Sequence, residues 1–97
     1  MIHRQETYKD AIALYGPRHQ LNVAIEEMSE LTKEICKHFR NRDNRNQIIE
    51  EMADVYVMLE QMGLIFHVGQ EEVVKVMDAK VERLQKRLNE VYEKDRV

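Results

Sequence analysis

An all-α fold is the expectation from three features of this sequence. Charged residues make up 34% and hydrophobic residues 43% of the 97 positions, with three Gly and one Pro, a composition suited to long amphipathic helices and unlike that of a disordered or β-rich chain. Apolar residues recur in steps of three and four over most of the length. The periodic stretches are interrupted at Gly16 and Pro17, at the polar run 40–46, and at Gly69. These breaks predict a four-helix bundle built on an antiparallel helical hairpin, one domain spanning residues 1–97.

The first helix is predicted from about Glu6 to Tyr15, on the apolar positions Tyr8, Ala11, Ile12, Leu14 and Tyr15. Gly16 and Pro17 end it, since glycine is favoured just past a helix and the proline ring cannot continue one. A second helix restarts near Arg18, with Leu21, Ala24, Ile25, Met28, Leu31, Ile35 and Phe39 as its apolar stripe. Residues 40–46 read as the hairpin loop, with Asp43 or Asn44 capping the next helix. The third helix, about 46–67, carries a main stripe at Ile48, Met52, Val55, Leu59, Met62 and Phe66 and a second apolar line at Ala53, Val57 and Leu64. Two apolar sides need two covers, so this helix is expected to be central and to form a seam between copies. The last helix, about 70–93, has its seam at Val73, Met77, Val81, Leu84, Leu88 and Val91. The six methionines fall largely on these stripes and are expected in the core.

Charge and size narrow the function classes. Fifteen Lys and Arg against eighteen Asp and Glu give a net charge of -3, without the basic excess that a phosphate backbone demands, so no nucleic acid is expected as partner. A chain this short covers its apolar surface poorly, which favours self-association. The single cysteine, Cys36, suits a reducing compartment; His38 diverges from it on a helix, so the two are not expected to work as a nucleophile and base. No signal-like apolar core or membrane-length apolar run is present, and a cytoplasmic protein without a membrane partner is expected.

The residues that carry chemistry are acids embedded in the apolar frame. Ile25, Glu26, Glu27, Met28, Ser29, Glu30 and Leu31 are echoed by Ile49, Glu50, Glu51, Met52, Ala53, Asp54 and Val55. Each copy holds two carboxylates three residues apart, Glu27 with Glu30 and Glu51 with Asp54, at a repulsive cost of about 0.2–0.5 kcal/mol per pair on a helix. A shared divalent cation would offset that cost. Counted from the loop, the pairs lie about 17 Å and about 11 Å away at the helical rise, an offset of one turn. Four carboxylates make a hard, all-oxygen site that favours Mg²⁺ or Mn²⁺ over zinc or copper. None of the four histidines follows an acid by three positions, which removes a di-iron carboxylate site. Cations able to meet phosphates are Lys37, Arg40, Arg42 and Arg45 near the loop and Lys80, Arg83 and Arg87 on the last helix.

At these residues the chain resembles the MazG-like nucleoside triphosphate pyrophosphohydrolases of the all-α NTP pyrophosphatase superfamily. Their Glu-Glu-x-x-Glu, gap, Glu-x-x-Asp signature is met by Glu26, Glu27 and Glu30, a gap of twenty residues, and Glu51 and Asp54. The resemblance implies Mg²⁺-dependent cleavage of an NTP or dNTP to the monophosphate and pyrophosphate. It implies metal ligation by Glu27, Glu30, Glu51 and Asp54, a water-positioning role for Glu26, and phosphate contacts from Lys80, with Arg83 and Arg87 beside it. It further implies a homodimer or homotetramer whose substrate pocket draws on more than one chain. Where relatives often place Arg or Asn four residues after the last-helix lysine, this chain has Leu84; it also lacks the Trp on which some relatives stack the base. Tyr8, Tyr15, His19 and Tyr56 are the available substitutes, and Gln20 is a further candidate for base contact. Two rival readings are a non-catalytic helical interaction module and a phosphoribosyl-ATP pyrophosphatase of the same fold.

Overall fold

The computed structural model describes residues 3–95, which form four helices and no strand: α1 (Arg4–Tyr15), α2 (Pro17–Phe39), α3 (Arg45–Ile65) and α4 (Gln70–Asp95). The chain divides into two compact units, residues 1–67 and 68–97. No helix among the described residues is long and apolar enough to cross a membrane.

In the first unit the breaks fall where the sequence places them. Gly16 has φ 90°, a conformation that a side chain strains, and its N–H donates to the carbonyl of Ile12 at 2.9 Å. Pro17 then opens α2 at a position where its missing N–H costs nothing. The turn between α2 and α3 is closed by the N–H groups of Arg40 and Asn41, which donate to Lys37 and His38 at 3.0 Å each. Asn41 sits at φ 61°, a left-handed conformation that asparagine tolerates.

Helices α2 and α3 pack against each other, with Gln20 bonded to Gln61 near one end and Glu34 to Asn44 at the other. The line of α2 that faces α3 is Gln20, Ala24, Glu27, Leu31 and Glu34, in steps of four and three. Ala24, at 2% exposure, lets the two backbones approach closely. The matching line of α3 is Ile48, Glu51, Val55, Met58 and Gln61. Helix α1 is pinned to this pair by Tyr8, which is buried and donates its hydroxyl to Glu60 Oε1 at 3.1 Å, with Arg4 reaching the same oxygen at 3.3 Å.

The contact between α2 and α3 is thus not centred on the apolar stripes. On α2 it is turned by roughly 80° at 100° per residue toward the polar side. Ile25 is 62% exposed and Phe39 77%, and Met28 and Ile35 are exposed too. On α3 the expected seam residues Met52, Leu59 and Phe66 are exposed, as are Ile49, Tyr56 and Val57, while Met58 and Gln61 are buried. Among the described methionines only Met58 is buried, which corrects the expectation that they fill the core. The physical reason is that Gln20, Gln61, Glu34 and Asn44 need partners once removed from water, and across the helix pair Gln20 meets Gln61 and Glu34 meets Asn44. Their pairing sets the helix rotation and leaves broad apolar strips outside. The second unit, α4, has no buried residue; Val73, Met77, Val81, Leu84, Leu88 and Val91 are all exposed along its seam.

Candidate metal centre

The steps of four and three that turn Ala24 and Leu31 toward α3 bring Glu27 with them, because residue 27 lies between them on the same face. From α3, Glu51 and Asp54 project one turn apart toward the same point. One carboxylate oxygen from each of Glu27, Glu51 and Asp54 lies within 4.8 Å of the other two. The one-turn offset counted from the loop is absorbed by the asymmetric turn: residue 20 meets residue 61 far from the loop, whereas residue 34 meets residue 44 beside it.

The fourth acid of the predicted set, Glu30, stands outside this group. It is exposed and accepts from Lys33 Nζ at 3.2 Å within its own helix. Its charge is nonetheless felt by both Glu27 and Glu51. Glu26 is exposed on the outer side of α2, next in sequence to Glu27. Lys80, Arg83 and Arg87 are exposed on α4 in the second unit, and none forms an ion pair among the described residues.

Burial and neighbouring like charges together set the electrostatics of the group. Glu27 is raised from its ordinary value of 4.5, first by burial, then by its hydrogen bond and repulsion with Asp54, and then by Glu51 and Glu30. Glu51 is raised by burial, by Asp54, and by its neighbours Glu30, Glu34 and Glu50. Its Oε2 is enclosed by protein and has no hydrogen-bond partner among the described residues. Carboxylate oxygens are the ligand type that hard divalent cations take. The donor set is all carboxylate oxygen, without sulfur or imidazole. No family model, curated protein or solved structure matched the chain.

Two features of the helix pair follow from contacts between side chains. Glu34 is buried, and its carboxylate accepts from Asn44 Nδ2 at 2.7 Å and from Lys37 Nζ at 3.0 Å, contacts that hold it below the usual carboxylate range. Asn44 occupies the N-cap position of α3, but its side chain makes no capping bond; it donates to the carbonyl and carboxylate of Glu34 instead, and Asp43 does not cap the helix either. Gln20, named above as a candidate for base contact, is buried and donates its Nε2 to Gln61 Oε1 at 2.8 Å. His19 Nδ1 meets Gln20 Oε1 at 2.9 Å, and its ring stacks on exposed Tyr15 at 5.2 Å. The one signal for Glu34 is its place seven residues after Glu27, on the same helical line.

Proposed function

We propose that this chain is a Mg²⁺-dependent nucleoside triphosphate pyrophosphohydrolase of the MazG-like kind, cleaving an NTP or dNTP to the monophosphate and pyrophosphate. The observation that carries the reading is the convergence of Glu27, Glu51 and Asp54 from two helices within 4.8 Å, with Glu27 and Glu51 raised by burial first and then by the neighbouring acids. In the reaction, water adds to the α-phosphorus, the bond from that phosphorus to the bridging oxygen breaks, and pyrophosphate leaves. Mg²⁺ would be held by Glu27, Glu51 and Asp54, with Glu30 adding charge beside them, and would supply neutralisation of the phosphate oxygens and a polarised water.

The chain's own residues contribute position and proton handling. Glu26, on the outer side of the helix beside Glu27, is the group assigned to orient the attacking water. Lys80, Arg83 and Arg87 are the cations assigned to the phosphates, since acids alone repel a polyanion. The working form in this reading is a homodimer or homotetramer of four-helix, hairpin-based chains. The exposed apolar residues Ile25, Phe39, Met52, Tyr56 and Leu59 support it, since they give a second copy apolar surface to cover.

The test is pyrophosphate release from a panel of NTPs and dNTPs with and without Mg²⁺. Turnover of at least one nucleotide, dependent on metal and abolished by Glu27→Gln and by Asp54→Asn, is the expected result. No turnover with any nucleotide in Mg²⁺ or Mn²⁺, or full activity in both variants, overturns the assignment.

A further inference from the structure

Glu34 is 9% exposed and lies on the same line of α2 as Glu27, facing α3. Both of its carboxylate oxygens are engaged: Lys37 Nζ donates to Oε1 at 3.0 Å and Asn44 Nδ2 to Oε2 at 2.7 Å, while the same amide reaches the Glu34 carbonyl at 2.8 Å. These bonds fix the side chain and hold it ionised. Glu34 is not among the acids whose oxygens converge between the helices. Removing an ion from water is costly, and a paired buried ion is a poor device for stability alone.

The pairing with Lys37 does not cancel the charge where the other acids stand. Glu34 lies seven residues from Glu27, about 10 Å at the helical rise, and its holder Asn44 lies seven residues before Glu51 on α3. Lys37 is ten residues from Glu27, about 15 Å by the same count. Its side chain is 48% exposed, against 12% for that of Glu34. Water and salt therefore screen the distant cation more than the nearer, buried anion. The charge of Glu34 accordingly reaches Glu51, adding to the repulsion from Asp54, Glu30 and Glu50.

We propose that Glu34 is a positioning residue for the cation: a fixed negative charge, held by Asn44, that strengthens the grip of Glu27, Glu51 and Asp54 on a divalent ion without touching it. The same charge raises the energy of the empty group and lowers that of the filled one, and it favours a doubly charged ion over a singly charged one. The inference rests on the cation site of the pyrophosphohydrolase reading, and not on the reaction.

The experiment is Mn²⁺ binding to the full chain at pH 8 and low salt, followed by loss of the free-ion paramagnetic resonance signal, in the wild type and two variants. Glu34→Gln keeps the shape and removes the charge; it weakens binding by about fourfold, the effect of one charge on a divalent ion 10 Å away in a water-like medium. Lys37→Met removes the opposing cation from an exposed position and tightens binding by about twofold. In 1 M salt, where the screening length is about 3 Å, both differences shrink. A purely structural role for the contact moves the two variants in the same direction and independently of salt. The proposal is overturned by equal affinity in the wild type and Glu34→Gln, by a Lys37→Met variant that binds no more tightly than the wild type, or by differences that persist in 1 M salt. Should Glu34→Gln fail to fold, the sign in Lys37→Met decides. Mn²⁺ binding by the wild type that neither variant alters removes this inference alone; a wild type that binds no Mn²⁺ removes the cation site and this inference with it.

Discussion

Replacing Glu27 by Gln keeps the shape of the side chain and removes one charge from the crowded group on α2 and α3. At the 4.8 Å limit of their separation, two full charges repel by about 1 kcal/mol in a water-like medium and about 3.5 kcal/mol at an effective dielectric near 20. Asp54 is exposed, so the lower figure applies, at a pH above the raised titration of Glu27. In a domain of this size 1 kcal/mol corresponds to about 4–8 °C in melting temperature. The metal-free variant is therefore expected to melt about 4–8 °C above the metal-free wild type at pH 8. Saturating Mg²⁺ acts the other way round. At one hundred times its dissociation constant it stabilises the wild type by about 2.7 kcal/mol, a rise on the order of 10 °C, and leaves the variant almost unmoved. Differential scanning fluorimetry with and without Mg²⁺ reads both arms. A variant that melts below the wild type without metal, or that responds to Mg²⁺ as fully as the wild type, refutes the account of Glu27 as a repelled ligand.

The same residues carry further expectations. Because Glu27 and Glu51 are raised above 4.5, their protonated forms favour the fold; that contribution is complete below 4.5 and is lost as pH rises through their higher folded values. Metal-free melting curves collected from pH 4.5 upward are expected to show this decline, and Mg²⁺ to reverse it; a decline unaffected by Mg²⁺ contradicts the assignment. Glu34 acts oppositely, its stabilisation being present above 4.5 and lost as pH falls through its lowered value. Asn44→Ala, which deletes two buried donations to Glu34, is expected to cost about 2 kcal/mol in denaturant titration. Asn44→Asp is expected to cost more, because its carboxylate meets that of Glu34; a capping role for Asn44 would make Asp harmless. Gln61→Leu strands Gln20 Nε2 at a cost of about 1–3 kcal/mol, and adding Gln20→Leu is expected to recover most of it, a coupling that a double-mutant cycle measures directly. Sedimentation is expected to show concentration-dependent association that Ile25→Glu together with Leu59→Glu abolishes; an unchanged sedimentation coefficient in that variant rules these strips out as the interface.

The four helices and their breaks were legible in the sequence because each rests on local chemistry: the φ of Gly16, the ring of Pro17, the polar run at the turn. Helix rotation was not. Periodicity locates apolar mass, and on α2 that mass points through Ile25, Met28 and Phe39, all of them exposed. The orientation is decided instead by the pairing of Gln20 with Gln61, 41 residues apart, and of Glu34 with Asn44 across the turn, contacts that helical periodicity does not encode. The same rotation draws Glu27 inward and leaves Glu30 at the rim with Lys33, so two acids with identical spacing logic acquire different surroundings. Asn44 illustrates the competition most plainly: its position is that of a cap, and its amide serves a buried carboxylate.

The most direct test of the central claim is a crystal structure of the full chain soaked with Mn²⁺, with anomalous scattering used to locate the ion. The account predicts one strong anomalous peak within coordination distance of oxygens of Glu27, Glu51 and Asp54. A peak elsewhere, or none beside these three side chains at a saturating Mn²⁺ concentration, contradicts it.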